Sequence, residues 1–288
     1  VEYRARGAAG YFLQSADLCG ALRTEARRAG VKVRVSRASP AIQLEEDHVE
    51  LIGSSKLRAR LLLVAHNHPA DVITDLSLPV RNVPRSPMII AGIDAPLGKK
   101  TGPGLLAGAL HVVELPDRNE LGIFFVTNSV LHARVISASR ASGNRALELS
   151  AMLGALQKAD ILPGDLRLER ARGAVWRPPA GVALELETHV AKRCLLTGTA
   201  GGFADSITGH TLTPSVRSAL LAADVALGAA DSDETQNILM RFKNSWRKSL
   251  ASYLRPPNTS LQMLLPLLFA NRRIVSKFTR ALLYGENI

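Results

Sequence analysis

The residues best placed to do chemistry form one run, Lys192-Arg193-Cys194-Leu195-Leu196-Thr197-Gly198-Thr199-Ala200-Gly201-Gly202-Phe203. It continues through Thr208-Gly209-His210 toward Pro214. The apolar stretch from Cys194 to Thr197 predicts a buried strand, and the glycines behind it let backbone N–H groups approach an anion closely. A helix opening at Pro214 would add a dipole favourable to phosphate, and proline suits a first helical turn. On these residues alone two readings stand level: a ligand cradle, or a tight strand-to-helix connection without a ligand. In the cradle reading Gly198 to Gly202 line a cleft, and a bulky residue at Gly201 weakens binding more than folding.

A second constellation is His66-Asn67-His68, directly after the apolar run Arg60-Leu61-Leu62-Leu63-Val64-Ala65. Two histidines at i, i+2 after a buried strand can share a metal, as in metal-dependent hydrolases. Asp71 and one of His111, His132, His189 or His210 would complete such a site. Pro69 and Ala70 separate the second histidine from Asp71 and no histidine follows it, so the expectation is that His66 and His68 do not share a metal and cap a strand end. No GxSxG nucleophile motif occurs. Cys19 and Cys194 lie far apart and outside any CxxC pair, which fits a reducing compartment. Trp176, followed by Arg177-Pro178-Pro179, reads as a core or loop anchor or as the edge of a substrate pocket.

The elements that must position these groups follow from periodicity. Helical spacing predicts helices over 17–29, 146–159, 214–230, 234–254 and 261–283, the last two separated by Pro256-Pro257. Alternation predicts a strand over Val31 to Val35, and further strands are expected over 42–46, 49–51, 60–65, 88–93, 105–115 and 121–127. The segment 166–187 is expected to supply more short strands. Val31 to Val35, Arg60 to Val64 and Cys194 to Thr197 are expected in one sheet, since the latter two need cover on both faces.

Gly198 to Ala223 resembles the second flavin motif of FAD-dependent monooxygenases, flavin halogenases and geranylgeranyl reductases of the aromatic-hydroxylase fold. The matching residues are Gly198, Ala200, Gly202, Phe203, Thr208, Gly209, Leu212 and Ser218. Leu18, Leu22, Ala26 and Gly30 with Val31 to Val35 resemble the helix and strand after the family's dinucleotide turn, and Ala59 to Ala65 the strand before its Asp-Gly motif. The resemblance implies FAD as cofactor, held near Gly198, Thr199, Ala200, Gly201, Gly209, Thr211 and Leu212. It also implies oxidation, hydroxylation or reduction of a hydrophobic or carrier-bound substrate. The motifs are degenerate. Thr199 stands where the family has aspartate, Thr211 where it has glycine, His66-Asn67 where it has Asp-Gly, and Ser15 where it has arginine. The N-terminal GxGxxG unit has no counterpart. Gly102-Pro103-Gly104-Leu105-Leu106-Ala107 fits GxGxxA as a string, without the preceding strand or following helix.

The expected architecture is α/β: a partial FAD-binding, Rossmann-like half (residues 1–75 and 190–232), an inserted mostly antiparallel substrate sheet (76–189) and a C-terminal helical region (233–288). The start at Val1 reads as a fragment or incomplete gene model, and the substitutions read as weakened flavin binding on a scaffold that is otherwise kept. The alternatives are a non-catalytic binding protein on a degenerate flavoprotein scaffold and a metal-dependent hydrolase using His66 and His68. No catalytic side chain is singled out, because in such enzymes the flavin carries the redox chemistry.

Composition bounds these readings. With 288 residues, 47% hydrophobic and 21% charged, the chain can bury a large core and is no disordered tail. No run of about 18 uncharged apolar residues exists. No signal peptide is recognisable, and a cytoplasmic protein is expected. The net charge of +11 is concentrated at the C-terminus, where nine Lys or Arg from Arg241 onward face Glu286 alone. That pattern allows contact with an anionic membrane surface. Leu264, Leu265 and Leu268 are expected to be buried within the chain. The aromatic residues of this tail are spaced like core positions, so no nucleic-acid partner is expected.

Overall fold

The computed structural model describes residues 11–35, 40–53, 56–65, 69–78, 86, 88–97, 108–115, 120–127, 130–138, 145–164, 166, 172–255 and 270–284. His66 to His68, Leu264, Leu265, Leu268 and the Gly102 to Ala107 string lie outside the described residues. The elements run α1 (Ser15–Arg28), β1 (Ala41–Leu44), β2 (Val49–Ile52), β3 (Lys56–Ala59), β4 (Leu62–Val64), α2 (Pro69–Asp75), β5 (Met88–Pro96), β6 (His111–Leu115), β7 (Glu120–Thr127), β8 (Val130–Ala138), α3 (Arg145–Lys158), β9 (Arg172–Trp176), α4 (Val182–Glu185), β10 (Val190–Ala191), β11 (Cys194–Leu196), α5 (Leu212–Ala229), α6 (Thr235–Leu254) and α7 (Arg272–Tyr284).

Among the described residues three sheets form: a meander β1-β2-β3, a small sheet β10-β11-β4 and a five-stranded antiparallel sheet β6-β7-β8-β5-β9. The pairing of β11 with β4 is parallel, with Cys194, Leu195 and Leu196 opposite Leu62, Leu63 and Val64. Two apolar runs about 130 residues apart in sequence thus lie side by side, as their lack of polar alternation requires. Cys194 and Leu196 pack toward Val72, Ile73 and Leu76 on and just after α2. Leu195 faces the opposite way, into a core with Ala222 of α5 and Leu239, Phe242, Trp246 and Leu250 of α6. The fully buried side chain of Leu195 is worth roughly 2 kcal/mol.

The antiparallel sheet is covered on one face by α3, where Leu149, Met152, Leu153 and Leu156 meet Phe124, Leu131, Ala133 and Val135. On its other face Met88, Ile90, Leu121 and Ile136 meet Ala180 and Phe278 of α7.

Several expectations are corrected here. Val31 to Val35 is not a strand and joins no sheet; Val31 and Val35 are exposed. An alternating segment becomes a strand only beside a partner, and among the described residues no strand lies next to it. Segment 166–187 holds one described strand, β9, and the short helix α4. The Pro178-Pro179 step removes two backbone donors that a strand would need. Strand β3 has no counterpart in the sequence reading, because Lys56-Leu57-Arg58-Ala59 is exposed throughout and carries no buried face to betray it. Among the described residues no helix is long and apolar enough to cross a membrane.

Candidate functional site

Strand β11 ends at Leu196 and runs into the glycine turn. Thr197 N–H donates to Val64 O at 2.8 Å, continuing the parallel pairing by one residue. Gly198 follows with φ +53°, and a Cβ there would lie 2.5 Å from the carbonyl oxygen of Ala65. Only glycine tolerates both the left-handed backbone and that approach. The N–H of Gly198 donates to Ser218 Oγ of α5 at 3.0 Å, so the turn is tied to the helix that follows it.

Three further donors of the turn are also committed inward. Gly201 N–H bonds Thr197 O, Gly202 N–H bonds Thr199 O, and Phe203 N–H bonds Gly198 O, at 2.9–3.0 Å. A Cβ on Gly201 would sit 2.7 Å from Leu196 O and 2.6 Å from the Phe203 ring. Replacement of Gly201 therefore strikes folding first, contrary to the expectation from sequence. The glycines serve close packing, and their N–H groups point into the turn rather than out of it.

What remains accessible is the rim. Thr199 is half-buried, with its hydroxyl 3.5 Å from Ala65 O, while Ala200 is fully buried beneath it. Thr211 is half-buried and Leu212 exposed at the start of α5; the Thr211 side chain caps nothing, and the Thr213 N–H of the first turn donates to His210 Nε2 at 3.3 Å. Pro214 has no N–H and Thr213 is bonded to His210, so this helix start offers the positive end of the dipole and the N–H of Leu212. Between the turn and this start, Asp205 accepts from Ile207 N–H, Thr208 N–H and the Thr208 hydroxyl at 2.6–3.1 Å, closing a compact loop. Gly209 carries this loop onto the antiparallel sheet, since a Cβ there would meet Pro178 Cγ at 2.6 Å and Met88 Sδ at 2.8 Å. The glycine turn and the α7-covered face of the sheet therefore adjoin.

Beneath the turn lies His189, fully buried among Phe203, Phe242 and Trp246. Its Nε2–H donates to Gly201 O at 2.9 Å, and Nδ1 has no hydrogen-bond partner among the described residues. Burial drives its pKa down to about 4, against the opposing pull of the Gly201 carbonyl, so the ring is neutral at pH 7. Burial likewise pushes the Cys194 thiol up to about 12, which makes it an inert core residue. The other histidines proposed to complete a metal site are dispersed. His111 stacks on Phe124, His210 sits beside Thr213, and His132 bonds Asp94. Among the described residues no group of three or more metal-type ligands converges.

Sequence reasoning missed a polar cluster on the antiparallel sheet. Asp94 of β5 accepts from His132 Nδ1 at 2.9 Å and from an Arg134 guanidinium N–H at 2.8 Å, both on β8. His132 Nε2 lies 2.7 Å from the Thr127 hydroxyl of β7. Burial alone would raise the Asp94 carboxyl, but the hydrogen bonds from Arg134 and His132 outweigh it and hold its pKa below the usual carboxylate value. The signal was present in Leu131-His132-Ala133-Arg134-Val135, where polar and apolar residues alternate strictly. Trp176, left open as anchor or pocket edge, lies with its ring 5.8 Å from the Arg134 guanidinium carbon and is partly exposed.

No known protein-family profile matches the sequence, and no curated protein matches it either. Solved structures do. A geranylgeranyl bacteriochlorophyll reductase-like protein from Thermoplasma acidophilum superposes with a TM-score of 0.67 at 14% identity, over 94% of this chain and 72% of that one. A flavoprotein/dehydrogenase from Cytophaga hutchinsonii gives 0.66 at 14% identity, over 96% and 69%. The flavin-dependent halogenase CmlS gives 0.59 at 13% identity over 90% of this chain, which spans about half of that protein (52%). The fold of this chain is thus the one that its glycine-turn motif resembles, the fold shared by geranylgeranyl reductase-like proteins and flavin-dependent halogenases.

Proposed function

We propose that the chain is part of an FAD-dependent oxidoreductase of monooxygenase or reductase type, with weakened flavin binding, acting on a hydrophobic or carrier-bound substrate. The observation that carries this reading is the junction at Gly209, where a strand–glycine turn–helix unit meets the face of an antiparallel sheet within this fold. In this reading residues 1–75 and 190–232 serve the cofactor and 76–189 the substrate.

The residues present fit one part of a dinucleotide. The Thr199 hydroxyl, the Thr211 hydroxyl and the backbone N–H of Leu212 would hold hydroxyl or carbonyl oxygens, over the floor shaped by Gly198, Ala200, Gly201 and Gly209. The other described glycine at a helix start, Gly181 before the four-residue α4, is followed by N–H groups bonded to Pro179 O and Gly202 O, so it offers the pyrophosphate no donors. Bound flavin would supply the electron transfer; the chain would orient it and keep water away. The outer edge of β4, which pairs with no second strand among the described residues, supports this reading. Leu63 there is 39% exposed, α1 buries no residue, and Leu212, Val216, Leu220 and Leu227 expose an apolar stripe along α5. A parallel strand and helix laid on these surfaces would complete the cofactor half.

A second reading has its own support. The inward hydrogen bonds of Gly198, Gly201 and Gly202 favour a non-catalytic binding protein that keeps the scaffold alone. The absorbance spectrum of the purified chain, before and after incubation with FAD and gel filtration, separates the two. Flavin bands that co-elute with the protein after reconstitution support the oxidoreductase. A protein that elutes without them at every FAD concentration supports the scaffold reading.

A further inference from the structure

The turn between β1 and β2 carries a histidine with more partners than one protonation state can serve. Antiparallel pairing sets Glu50 of β2 opposite Gln43 of β1 and Arg58 of β3. These residues stand on one face of the meander, and Lys56 joins them two positions before Arg58; Val49, on the other face, is fully buried. Lys56 Nζ lies 2.6 Å from Glu50 Oε2, and Arg58 Nε lies 3.0 Å from Oε1. Between these two cations the Glu50 side chain is only 8% exposed.

His48 reaches this cluster from the turn. The hydrogen bond from His48 holds the Asp47 carboxyl below its ordinary pKa, and that from Lys56 does the same for Glu50, so both are ionised at neutral pH. His48 Nδ1 is 2.6 Å from the Asp47 carboxylate, which only accepts, so Nδ1 carries a hydrogen in either charge state of the ring. Nε2 has two neighbours of opposite kind. Glu50 Oε1 at 3.1 Å requires a hydrogen on Nε2, whereas an Arg58 guanidinium N–H at 2.8 Å requires a lone pair there. Arginine keeps its hydrogens, so one ring cannot satisfy both. The neutral ring accepts from Arg58. The imidazolium donates to Asp47 and Glu50 in two charge-assisted bonds and turns away the Arg58 N–H, while Arg58 Nε still holds Glu50.

The same turn has a second attachment. Arg193, in the tight connection from β10 to β11, donates from Nε to Glu46 O at 2.5 Å, and Lys192 Nζ lies 3.5 Å from the Glu46 carboxylate. The Arg193 carbonyl accepts from Leu62 N–H at 2.9 Å, at the start of β4. The turn therefore joins the meander to the parallel pair.

We propose that His48 is a proton-operated latch: a proton gained at Nε2 moves it from Arg58 of β3 to Glu50 of β2 and tightens the turn that fastens the meander to Arg193. Among the described residues, the charged groups facing it are Asp47 from its own turn, Glu50 from β2 and Arg58 from β3. Lys56 lies behind Glu50, and Lys192 and Arg193 lie at Glu46. The hydrogen bond to Asp47, then that to Glu50, raises the His48 pKa above the ordinary 6.5 against the opposing charge of Arg58. The latch is therefore closed below pH 6.5 and opens as the pH rises through the higher folded value. It needs no flavin and stands apart from the oxidoreductase reading.

The test follows the His48 Cε1–H resonance of the full chain by proton–carbon NMR across pH 5–9, assigned by its loss in His48→Gln. The expected midpoint lies above that of an ordinary histidine, falls in Asp47→Asn and Glu50→Gln, and rises in Arg58→Gln. That opposite response to Arg58→Gln is one a merely structural role would not produce, and Arg58, exposed at its side chain, carries the test if Glu50→Gln does not fold. Amide hydrogen exchange supplies the mechanical readout. The Glu45 N–H, which donates to His48 O, and the Leu62 N–H should be protected several-fold more with the latch closed, after correction for intrinsic exchange, and His48→Gln should remove this pH dependence. A midpoint at or below the ordinary value, a midpoint indifferent to both Asp47→Asn and Arg58→Gln, or protection at Glu45 and Leu62 that ignores the charge of His48 overturns the proposal.

Discussion

The small parallel sheet and the five-stranded antiparallel sheet solve the same problem, covering apolar strands, in opposite ways. The antiparallel sheet is wide, has α3 on one face and α7 with Ala180 on the other, and keeps Asp94 and Arg134 partly exposed at one end. The parallel pair β4–β11 is three residues long, and its stability comes from what is packed on it rather than from its ladder. On β11 that cover is complete; on β4 it stops at the outer edge. The contrast teaches that burial alone does not mark a functional region here. The best-buried titratable groups, Cys194 and His189, are chemically silent, and the Asp94–His132–Arg134 cluster sits where cover is partial.

This comparison can be broken most severely at the glycine turn. Gly198→Val places a branched side chain at φ +53° against the Ala65 carbonyl, and should cost roughly 3 kcal/mol or more in urea unfolding. A loss below about 1 kcal/mol would mean that β4 and β11 are not locked through this turn.

The next test sets the two parallel strands against each other. Leu196→Ala, in the covered core, should lose about 3 kcal/mol. Leu63→Ala, on the open edge, should lose less than about 1 kcal/mol. Equal losses would show that the β4 edge is covered in solution.

His189 gives a comparable effect that depends on pH. Its folded pKa of about 4 lies below the ordinary 6.5, because burial penalises the charged ring. Its contribution is therefore fully present above pH 6.5 and is lost as the pH falls toward about 4, by at most about 3 kcal/mol. In His189→Gln, which keeps a donor for Gly201 O, this acid limb should flatten.

The smallest effect concerns α7. We expect its exposed Arg273 and Lys277 to give a weak, salt-sensitive association with anionic vesicles, about 1 kcal/mol per cation, since Phe278 is committed to the sheet. Tight co-sedimentation that survives high salt would contradict that arrangement.

Much of this organisation was legible in the sequence, for identifiable reasons. Leu62 to Val64 and Cys194 to Leu196 are wholly apolar and had to be covered on both faces, so their pairing followed from composition. Helices α3, α5 and α6 begin and end within two residues of their expected positions, because Pro163-Gly164, Pro214 and Pro256-Pro257 punctuate the chain there. Val31 to Val35 misled because alternation describes a strand only when a neighbour is available. The site was legible in its glycines but not in its donors: sequence shows that Gly198 and Gly201 permit close approach, and only packing shows that the approaching group is the protein itself. The Asp94–His132 pair, 38 residues apart, depends on the register of β5 against β8, which no local pattern encodes.

The central claim is that this scaffold still binds flavin, weakly, through the rim of the glycine turn. Quenching of FAD fluorescence by the chain, compared with a Thr199→Val, Thr211→Val double variant of unchanged circular dichroism, tests it directly. The account predicts saturable quenching with a dissociation constant on the order of 100 µM, about −5 kcal/mol, weakened at least fivefold in the variant. Quenching that stays linear in protein concentration, or an affinity indifferent to both threonines, would contradict it.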